Sequence, residues 1–470
     1  AIIAALTEAA EQIAAAKKSL EADVLQQHGH RLDRKLAEID EVLFLAAGIT
    51  ADAWAEPAAL APGSTGSLFV RIDAGVIDVT ATPVLSGDFT ADPVQTEGVV
   101  RRFDLTVKPD AAIANSYPPG FSALQGNGPV SMRLAARIGG REAAISVDLD
   151  ELLQIVPPHS LRLEPDAALV PLGQPADPID VAVRVEPDGK VEFAATGGIA
   201  LSTTPSGIRV APGDLKPGLH RLAATVDGRP AYRVTPIAYP HVGRLRHIVP
   251  AEFSVLALDL ALPDGARVGY VGGGSDRVGV WLRRMGLEVT DLDADALGSD
   301  LGSYTTIVAG TFAYGLRPDL FAARQRINDW VENGGHLVSL YHRPKDGWEP
   351  ETTPPCRLVI GSPSLRWRVT DPNAAVTVLA PGHRLLAGPN RIGPEDFAGW
   401  DKERGLYFAS EWDTAYEPLL SMHDRNEDPL TGALISARIG TGRHTHVSLV
   451  LHHQMDKLVP GAFRLMANLV

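Results

Sequence analysis

The stretch Arg267-Val268-Gly269-Tyr270-Val271-Gly272-Gly273-Gly274-Ser275-Asp276 decides the fold class of the C-terminal half of the chain. A short apolar strand pattern runs into a glycine turn, and an amphipathic helical pattern follows. The same order recurs around the strand patterns Leu287–Leu292, Tyr304–Gly310 and His336–Tyr341. Repeated β-α-β units predict an α/β domain with a mainly parallel sheet and helices on both faces. Ligands bind such sheets at the carboxyl ends of the strands.

The glycine turn at Gly272–Asp276 can place backbone amides and a helix N-terminus near an anion. It lacks both the dinucleotide-binding spacing and the Lys-Ser/Thr pair of a P-loop. We therefore interpret it as a tight strand-to-helix turn capped by Ser275 or Asp276.

Upstream of residue 244, apolar residues recur at every second position, which predicts antiparallel strands. The clearest case is Val130–Ile138, followed by Gly139-Gly140 and a second alternating run to Leu149. This pattern predicts a β-hairpin with a glycine turn. We predict two antiparallel β-sandwich domains at 55–155 and 156–243, with Pro157-Pro158 between them, and the α/β domain at 244–470.

Residues 1–54 are predicted to form a helical linker, because apolar residues follow a helical period from Ile3 to Leu43. The two helices are expected to form an N-terminal hairpin connected at His28-Gly29-His30. The chain begins at Ala1 without Met or a signal pattern, so we expect an upstream part to be missing. One hypothesis is that the hairpin docks onto that part.

The charge balance excludes several classes of partner. The chain has 43 Lys plus Arg against 57 Asp plus Glu, a net charge of −14, which argues against nucleic acid and anionic membranes. A single cysteine, Cys356, excludes an internal disulfide and Cys-rich metal sites. No apolar run approaches the length of a membrane span. We expect a cytoplasmic protein.

The second strand end of interest is Val338–Pro344, where a nucleophile elbow would expose a side chain. The elbow position offers Tyr341 or His342, whereas Ser339 is expected within the strand. The segment therefore has no evident nucleophile. Cys356 lies in a proline-rich loop and is interpreted as an incidental thiol.

The third strand end is Arg443–Gln454. His444 and His446 point to one face of a strand and can share a metal, but local sequence specifies no third ligand. No metal site is therefore predicted. His452, His453 and Gln454 are expected at the strand end, where they would line a cleft.

Aromatic and charged residues alternate at Arg366-Trp367-Arg368 and at Phe397–Phe408. Such residues can stack on a sugar ring and hydrogen-bond its hydroxyls, or can simply hold a loop together. Tyr117–Phe121 in a sandwich loop is interpreted as structural. The candidate ligand-binding residues are Tyr341, Arg343, Arg366, Trp367, Trp400, Arg404 and Gln454. The catalytic candidates are His342, His452, His453 and Glu403.

Several motifs of the last domain point to a known family. They are Gly382-His383-Arg384-Leu385-Leu386, Gly388–Ile392, Gly399-Trp400, Glu403–Phe408, Trp412-Asp413 and Pro460–Leu469. This pattern resembles the C-terminal region of long bacterial PIG-L (LmbE-like) deacetylases. In domain order the resemblance covers essentially the whole chain, and it implies a last domain similar to class I glutamine amidotransferases, with a flavodoxin-like sheet.

In that family an N-terminal zinc domain with a His-Pro-Asp-Asp motif deacetylates N-acetylglucosamine-type substrates. These 470 residues contain no such motif. The resemblance therefore implies an accessory, non-catalytic region that binds no zinc or other cofactor itself. Its expected partners are the missing deacetylase domain and a carbohydrate.

The amidotransferase pattern of an elbow Cys and a later His-x-Glu is also changed. Tyr341-His342-Arg343 and His452-His453-Gln454 stand at those places. Thiol catalysis is therefore not expected. The alternative is an independent hydrolase-like activity in which His342 and His452 or His453 act as acid and base.

Overall fold

The computed structural model describes residues 1–113, 128–173, 176–194 and 197–470, so the Tyr117–Phe121 prediction lies outside the described residues. The chain forms two compact units. The first comprises Ala1–Glu164, Ala182–Ala194 and Ala223–Glu252, and the second comprises Pro165–Val181, Ala195–Leu222 and Phe253–Val470. Residues 156–243 are divided between the two units rather than set apart. The boundaries at 54, 155 and 243 remain predictions.

The chain begins with a helical hairpin made of α1 (Ile2–Lys18) and α2 (Ala22–Ala46). The connection predicted at His28-Gly29-His30 is wrong, since these residues lie inside α2. The break comes at Ser19, whose hydroxyl donates to the Ala16 carbonyl at 2.8 Å and so ends α1. Gly29 is buried inside α2, next to the Leu25 side chain.

In the first unit, strands β1–β9 form antiparallel sheets in the orders β1-β3-β6-β5 and β4-β7-β8, with a parallel pair β2-β9. The strands are β1 Thr50–Glu56, β2 Ala59–Leu60, β3 Thr65–Asp73, β4 Val79–Leu85, β5 Phe89–Glu97, β6 Val100–Val107, β7 Val130–Ile138, β8 Arg141–Asp148 and β9 Gln154–Ile155. Both sheets contribute to one hydrophobic core.

The predicted glycine hairpin is confirmed. β7 pairs with β8 from Ser131–Asp148 to Ile138–Arg141, so Gly139 and Gly140 form the turn, both at positive φ. A Cβ on Gly139 would come within 2.6 Å of the Ile3 side chain, because α1 packs directly on the turn. The Arg141 guanidinium also donates to Asp40 of α2 at 2.8 Å.

The middle of the chain continues as short strands. They are β10 Ser160–Glu164, β11 Ala167–Pro171, β12 Ile179–Glu186, β13 Val191–Phe193, β14 Ile199–Thr204, β15 Gly207–Pro212, β16 Gly218–Val226, β17 Arg229–Pro230, β18 Tyr232–Tyr239, β19 Val242–Pro250 and β20 Glu252–Leu258. In the first unit, β10 pairs antiparallel with β12, β13 with β16, and β18 with β19. In the second unit, β14 and β15 pair antiparallel, whereas β11 and β20 pair in parallel.

The C-terminal part of the second unit contains the predicted parallel sheet. Its strands are β21 Arg267–Val271, β22 Glu288–Asp291, β23 Thr306–Ala309, β24 His336–Leu340, β25 Leu358–Ile360, β26 Arg368–Val369, β27 Val376–Val378, β28 Gly405–Leu406, β29 Ala409–Trp412, β30 Tyr416–Pro418, β31 Leu420–Met422, β32 Leu434–Ile439 and β33 Gly442–Val447. Its helices are α3 Val278–Arg284, α4 Ala294–Gly298, α5 Ala313–Leu316, α6 Pro318–Glu332, α7 Arg384–Ala387, α8 Leu451–Asp456 and α9 Pro460–Leu469, with 3-10 turns at Ser364–Arg366 and Pro394–Phe397.

Seven strands form one mixed sheet in the order β22-β21-β23-β24-β33-β32-β30. The first five are parallel, and β32 and β30 pair antiparallel. Alternate strand residues enter two cores on opposite faces: Val308 packs in one, and Ile307 and Ala309 in the other. Helices α3, α8 and α9 contribute to the first core and α4–α6 to the second, as the β-α-β pattern predicts.

In the described part of the chain, no helix combines the length and apolar character needed to cross a membrane.

Candidate functional site

The carboxyl edge of the parallel sheet collects side chains from several loops of the second unit. Asp276 follows β21, Phe312 follows β23 and Tyr341 follows β24. Tyr341 contacts rings from the two other sources: its centroid lies 6.0 Å from that of Tyr407, which follows β28, and 6.3 Å from that of His452 on α8. This edge is where ligands bind open α/β sheets, so it is the first place to look for a site.

Asp276 is occupied in holding this edge together. Its carboxylate accepts the backbone N–H groups of Val278 at 2.9 Å and Thr311 at 2.6 Å, and it also accepts the Tyr270 hydroxyl. The N–H of Val278 belongs to the first turn of α3, in keeping with the interpretation of Gly272–Asp276 as a capped turn.

The strained backbone position of this edge differs from the predicted one. Phe312 has φ +61°, whereas Tyr341 and His342 have negative φ. The Phe312 ring lies 5.3 Å from that of Tyr341, and the Arg343 guanidinium lies 4.1 Å above it. Arg343 is also held by Asp346 at 2.7 Å. Arg343, a predicted ligand residue, therefore lies beside the site with its charge already paired.

His342 is fully buried and both of its ring nitrogens are engaged. Nδ1 hydrogen-bonds the Leu340 carbonyl, and Nε2 accepts the Tyr314 N–H at 3.1 Å. Burial lowers the pKa of His342 to about 4, so the ring is neutral at physiological pH. We therefore assign His342 a structural role, because it retains no free nitrogen for acid–base chemistry.

His444 and His446 do point to one face of β33, as predicted, and both contact the Ser339 hydroxyl, at 2.9 and 3.0 Å. The remaining nitrogen of His444 lies 2.6 Å from the Tyr416 hydroxyl. The remaining nitrogen of His446 lies 3.1 Å from the Ser448 hydroxyl, and Ser448 contacts the Tyr407 carbonyl at 3.2 Å.

Five hydrogen bonds thus run from Tyr416 through His444, Ser339, His446 and Ser448 to the Tyr407 carbonyl, and we call them the interior chain. Its two imidazoles have no nitrogen left for a metal. Burial lowers the pKa of His444 to about 3 and that of His446 well below its usual range. Among the described residues, no group of three His, Cys, Asp or Glu side chains is arranged to hold a metal ion.

Three predicted ligand residues are buried in structural contacts. The Arg404 guanidinium donates to the carbonyls of Ala374 and Phe397, and the Trp400 indole donates to the Asp396 carbonyl at 3.1 Å. The Gln454 amide accepts the Asp401 N–H at 2.9 Å and donates to the Asp401 carbonyl at 2.8 Å. These groups have no free face for a ligand, so we assign them to loop stability.

The histidines after β33 lie in helix α8 rather than at a strand end, which corrects the prediction. His453 faces the surface and lies 3.0 Å from the Asp401 carboxylate. Arg366 is exposed, and the Trp367 ring packs over Gly361. The structure does not bring these three residues into contact with Tyr341.

Tyr341, Glu403, Tyr407 and His452 form the group that remains, which we call the edge cluster. The Tyr341 ring is buried, with 6% of its surface exposed, and the Glu403 side chain is almost as buried. Within the described ranges, none of the four has a hydrogen bond to its side-chain polar group. The Glu403 carboxylate has only a long ion pair with Lys402, at 4.0 Å.

Burial shapes the acid–base chemistry of the edge cluster. It raises the pKa of Glu403 and lowers that of His452. Burial and then the negative charge of Glu403 raise the pKa of Tyr341. The cluster thus combines two aromatic faces, a neutral imidazole and a carboxyl group that is poorly paired inside the protein.

Cys356, the remaining nucleophile candidate, is half-buried, and its pKa is raised by burial and by the charges of Asp413 and Glu332. A raised pKa keeps the thiol protonated and unreactive, in keeping with its interpretation as incidental.

Sequence reasoning named Tyr341, Glu403 and His452 but missed Tyr407. A signal was present, because Tyr407 is a non-glycine residue that adopts φ +55° immediately after the short strand β28. An aromatic residue at such a position is worth inspecting as a functional one.

No protein-family model matches the chain, and no curated protein matches it. Solved structures give remote similarities. One is described as a GMP synthase protein from Thermoplasma acidophilum, with 10% identity, 43% of this chain and 93% of that chain covered, and a TM-score of 0.29.

Two others are glycosidases. A β-galactosidase from Rahnella sp. R3 has 15% identity and a TM-score of 0.23, and 43% of this chain and 30% of that chain are covered. An exo-β-1,4-mannosidase from Opitutaceae bacterium strain TAV5 has 15% identity and a TM-score of 0.26, with coverage of 43% and 35%. All three TM-scores are too low to support a conclusion about fold or function.

Proposed function

We propose that the edge cluster binds a carbohydrate and that the chain is a non-catalytic accessory region of a PIG-L-type, zinc-dependent N-acetylglucosamine-type deacetylase. The observation that carries the binding proposal is the convergence of Tyr341, Tyr407, His452 and Glu403 without internal hydrogen-bond partners. The family assignment rests on the sequence motifs, and with it goes a last domain of glutamine amidotransferase type with a flavodoxin-like sheet.

Each member of the edge cluster has a role that suits a sugar. The Tyr341 and Tyr407 rings offer apolar faces on which the C–H side of a sugar ring can lie. The Glu403 carboxylate accepts hydroxyl groups, and such charge-assisted hydrogen bonds are roughly twice as strong as neutral ones. Because that carboxylate is nearly buried and poorly paired, a ligand hydroxyl would relieve part of its desolvation penalty.

The binding proposal is tested by calorimetric titration of the 470-residue chain with an N-acetylglucosamine oligomer. We expect Glu403→Gln and Tyr407→Ala each to weaken binding at least tenfold, about 1.4 kcal/mol or more, through loss of an acceptor and of a stacking face. Glu288→Gln is the matched control, since Glu288 is exposed on β22 at the far side of the sheet. Absent binding, or equal effects of Glu403→Gln and Glu288→Gln, would contradict the proposal.

The family proposal is tested separately on the encoded sequence that precedes Ala1. A His-Pro-Asp-Asp motif there would support the missing deacetylase domain as the partner and the place of the zinc. Metal-dependent deacetylation of an N-acetylglucosamine derivative by this chain alone would contradict the accessory role.

A hydrolase-like activity is the second candidate, and one observation favours it. Burial shifts Glu403 toward a protonated acid and keeps His452 a neutral base, a pairing that acid–base catalysis uses. This version no longer includes His342, whose nitrogens are both engaged. Loss of amide or ester hydrolysis in both Glu403→Gln and His452→Asn, with sugar binding of the His452 variant retained, would favour it over simple binding.

A further inference from the structure

A second cleft lies at the opposite edge of the same sheet, where the parallel strands begin. It has a volume of about 1030 Å³ and is lined by the first residues of four strands, among them Arg267, Thr306, His336 and Gly442. Ligand pockets in proteins typically measure about 300–1,000 Å³. The sequence prediction placed a site only at the carboxyl edge, so this cleft was not expected.

The cleft is rich in positive charge that is not neutralised. It is lined by five arginines: Arg267, Arg326, Arg384, Arg438 and Arg443. None of the five has an ion pair with any described residue, although three aspartates line the same cleft. In a chain with a net charge of −14, a concentration of unpaired arginines is the reverse of what composition would produce by chance.

Arg438 and Arg443 are direct cross-strand partners on β32 and β33. Like charges directly opposite each other destabilise a sheet. Arg384, the first residue of α7, lies close enough that its charge and that of Arg438 lower the pKa of Arg443, after the larger effect of burial. Glu417 acts in the opposite sense but makes no ion pair with a described residue.

Arg443 is also held in a fixed position with one donor unused. Its Nη1 donates to the Ser436 hydroxyl at 2.9 Å and lies 3.1 Å from His383 Nε2. Its Nε is buried and has no partner in the described part of the chain. An unsatisfied buried donor of this kind costs about 1–3 kcal/mol. A bound acceptor would remove that cost and the repulsion between the two strands together.

We propose that Arg384, Arg438 and Arg443 form a binding site for a small anion with at least two negative charges. Guanidinium groups match the geometry of phosphate and carboxylate oxygens, and three of them neutralise more charge than a monovalent ion carries. The rest of the cleft has room for the body of a larger organic molecule. Phosphorylated compounds and polycarboxylates are the two sources of such an anion.

The site is tested by calorimetric titration of the full chain with pyrophosphate and with citrate, and with chloride as the monovalent control. We expect one of the two multivalent anions to bind, and the tighter one identifies the source. Arg438→Gln and Arg443→Gln should each weaken binding at least tenfold. Arg391→Gln, a change at an exposed arginine outside the cleft, should leave binding unchanged.

Thermal unfolding gives a second readout that a purely structural role would not produce. Without added anion, Arg438→Gln should raise the melting temperature, because the exposed Arg438 repels Arg443 across the strands. With pyrophosphate or citrate, the unmodified chain should gain stability and the variant should not. Binding of neither anion, or equal binding by the Arg438 and Arg391 variants, would overturn the proposal.

Discussion

Acidification from pH 7 to pH 4 is expected to remove most of the stability of the C-terminal α/β part of the chain. Four buried histidines, namely His336, His342, His444 and His446, have their pKa lowered, to about 4 for His342 and about 3 for His444. In the unfolded chain a histidine titrates near pH 6.5. Below that pH the unfolded state binds protons that the folded state refuses, so stability falls as the pH falls.

The expected slope is steep. Each such histidine contributes ~1.4 kcal/mol per pH unit between about pH 6.5 and its folded pKa. Domains are typically stable by only about 5–15 kcal/mol, so four of them are enough to unfold the domain before pH 4. Denaturant unfolding followed by tryptophan fluorescence measures this, since the Trp348 ring lies 5.1 Å from His446 and 5.5 Å from His342.

His446→Asn separates the histidines from the carboxylates, which titrate at lower pH. The asparagine oxygen can replace Nδ1 as the partner of Ser339 but cannot take up a proton. We expect the slope above pH 5 to fall by ~1.4 kcal/mol per pH unit in this variant. His28→Asn, at an exposed position of α2, is the control and should leave the slope unchanged. An unchanged slope in the His446 variant would show that other groups cause the acid sensitivity.

Ser339→Ala is expected to destabilise the protein by about 2–4 kcal/mol, although it removes a single oxygen atom. Ser339 is fully buried at the centre of the interior chain and contacts both His444 and His446. Alanine leaves one nitrogen of each ring without a partner, and each unsatisfied buried group costs about 1–3 kcal/mol. Urea unfolding at pH 7.5, where both rings are neutral in either state, measures the difference.

Ser410→Ala is the matched control, because Ser410 is half-buried on β29 and makes one long hydrogen bond of 3.4 Å to the Val359 carbonyl. It should cost less than about 1 kcal/mol. If the two alanine variants were equally stable, the interior chain would contribute nothing beyond the packing of its members.

The parallel sheet was predictable because each of its strands shows its pattern locally. The strand predicted at Arg267–Val271 has those bounds in the structure, and Ser339 lies within β24 as expected. The interior chain was not predictable in the same way. It depends on β24 and β33 being neighbours, and their hydrogen-bonded residues are more than 100 positions apart.

Two other differences have local causes. His452 continues an apolar run and was assigned to a strand end, but the run turns into α8 after β33. The Arg438–Arg443 pair could have been found from the sequence, since Gly440-Thr441 separates two alternating segments and marks a hairpin turn. Unpaired charge at that hairpin becomes visible only when the surrounding side chains are placed.

The interior chain has a consequence for how its hydrogen atoms are arranged. A neutral imidazole has one N–H, so it donates on one side and accepts on the other. If the Tyr416 hydroxyl donates to His444, every bond must point toward the Tyr407 carbonyl. If it donates instead to the Cys356 carbonyl, 3.3 Å away, the bonds from Ser448 onward must point back toward Tyr416, and Ser448 no longer donates to Tyr407. The tautomers of both histidines and the rotors of both serines are therefore a single variable, which connects the protein interior to the backbone of an edge-cluster residue.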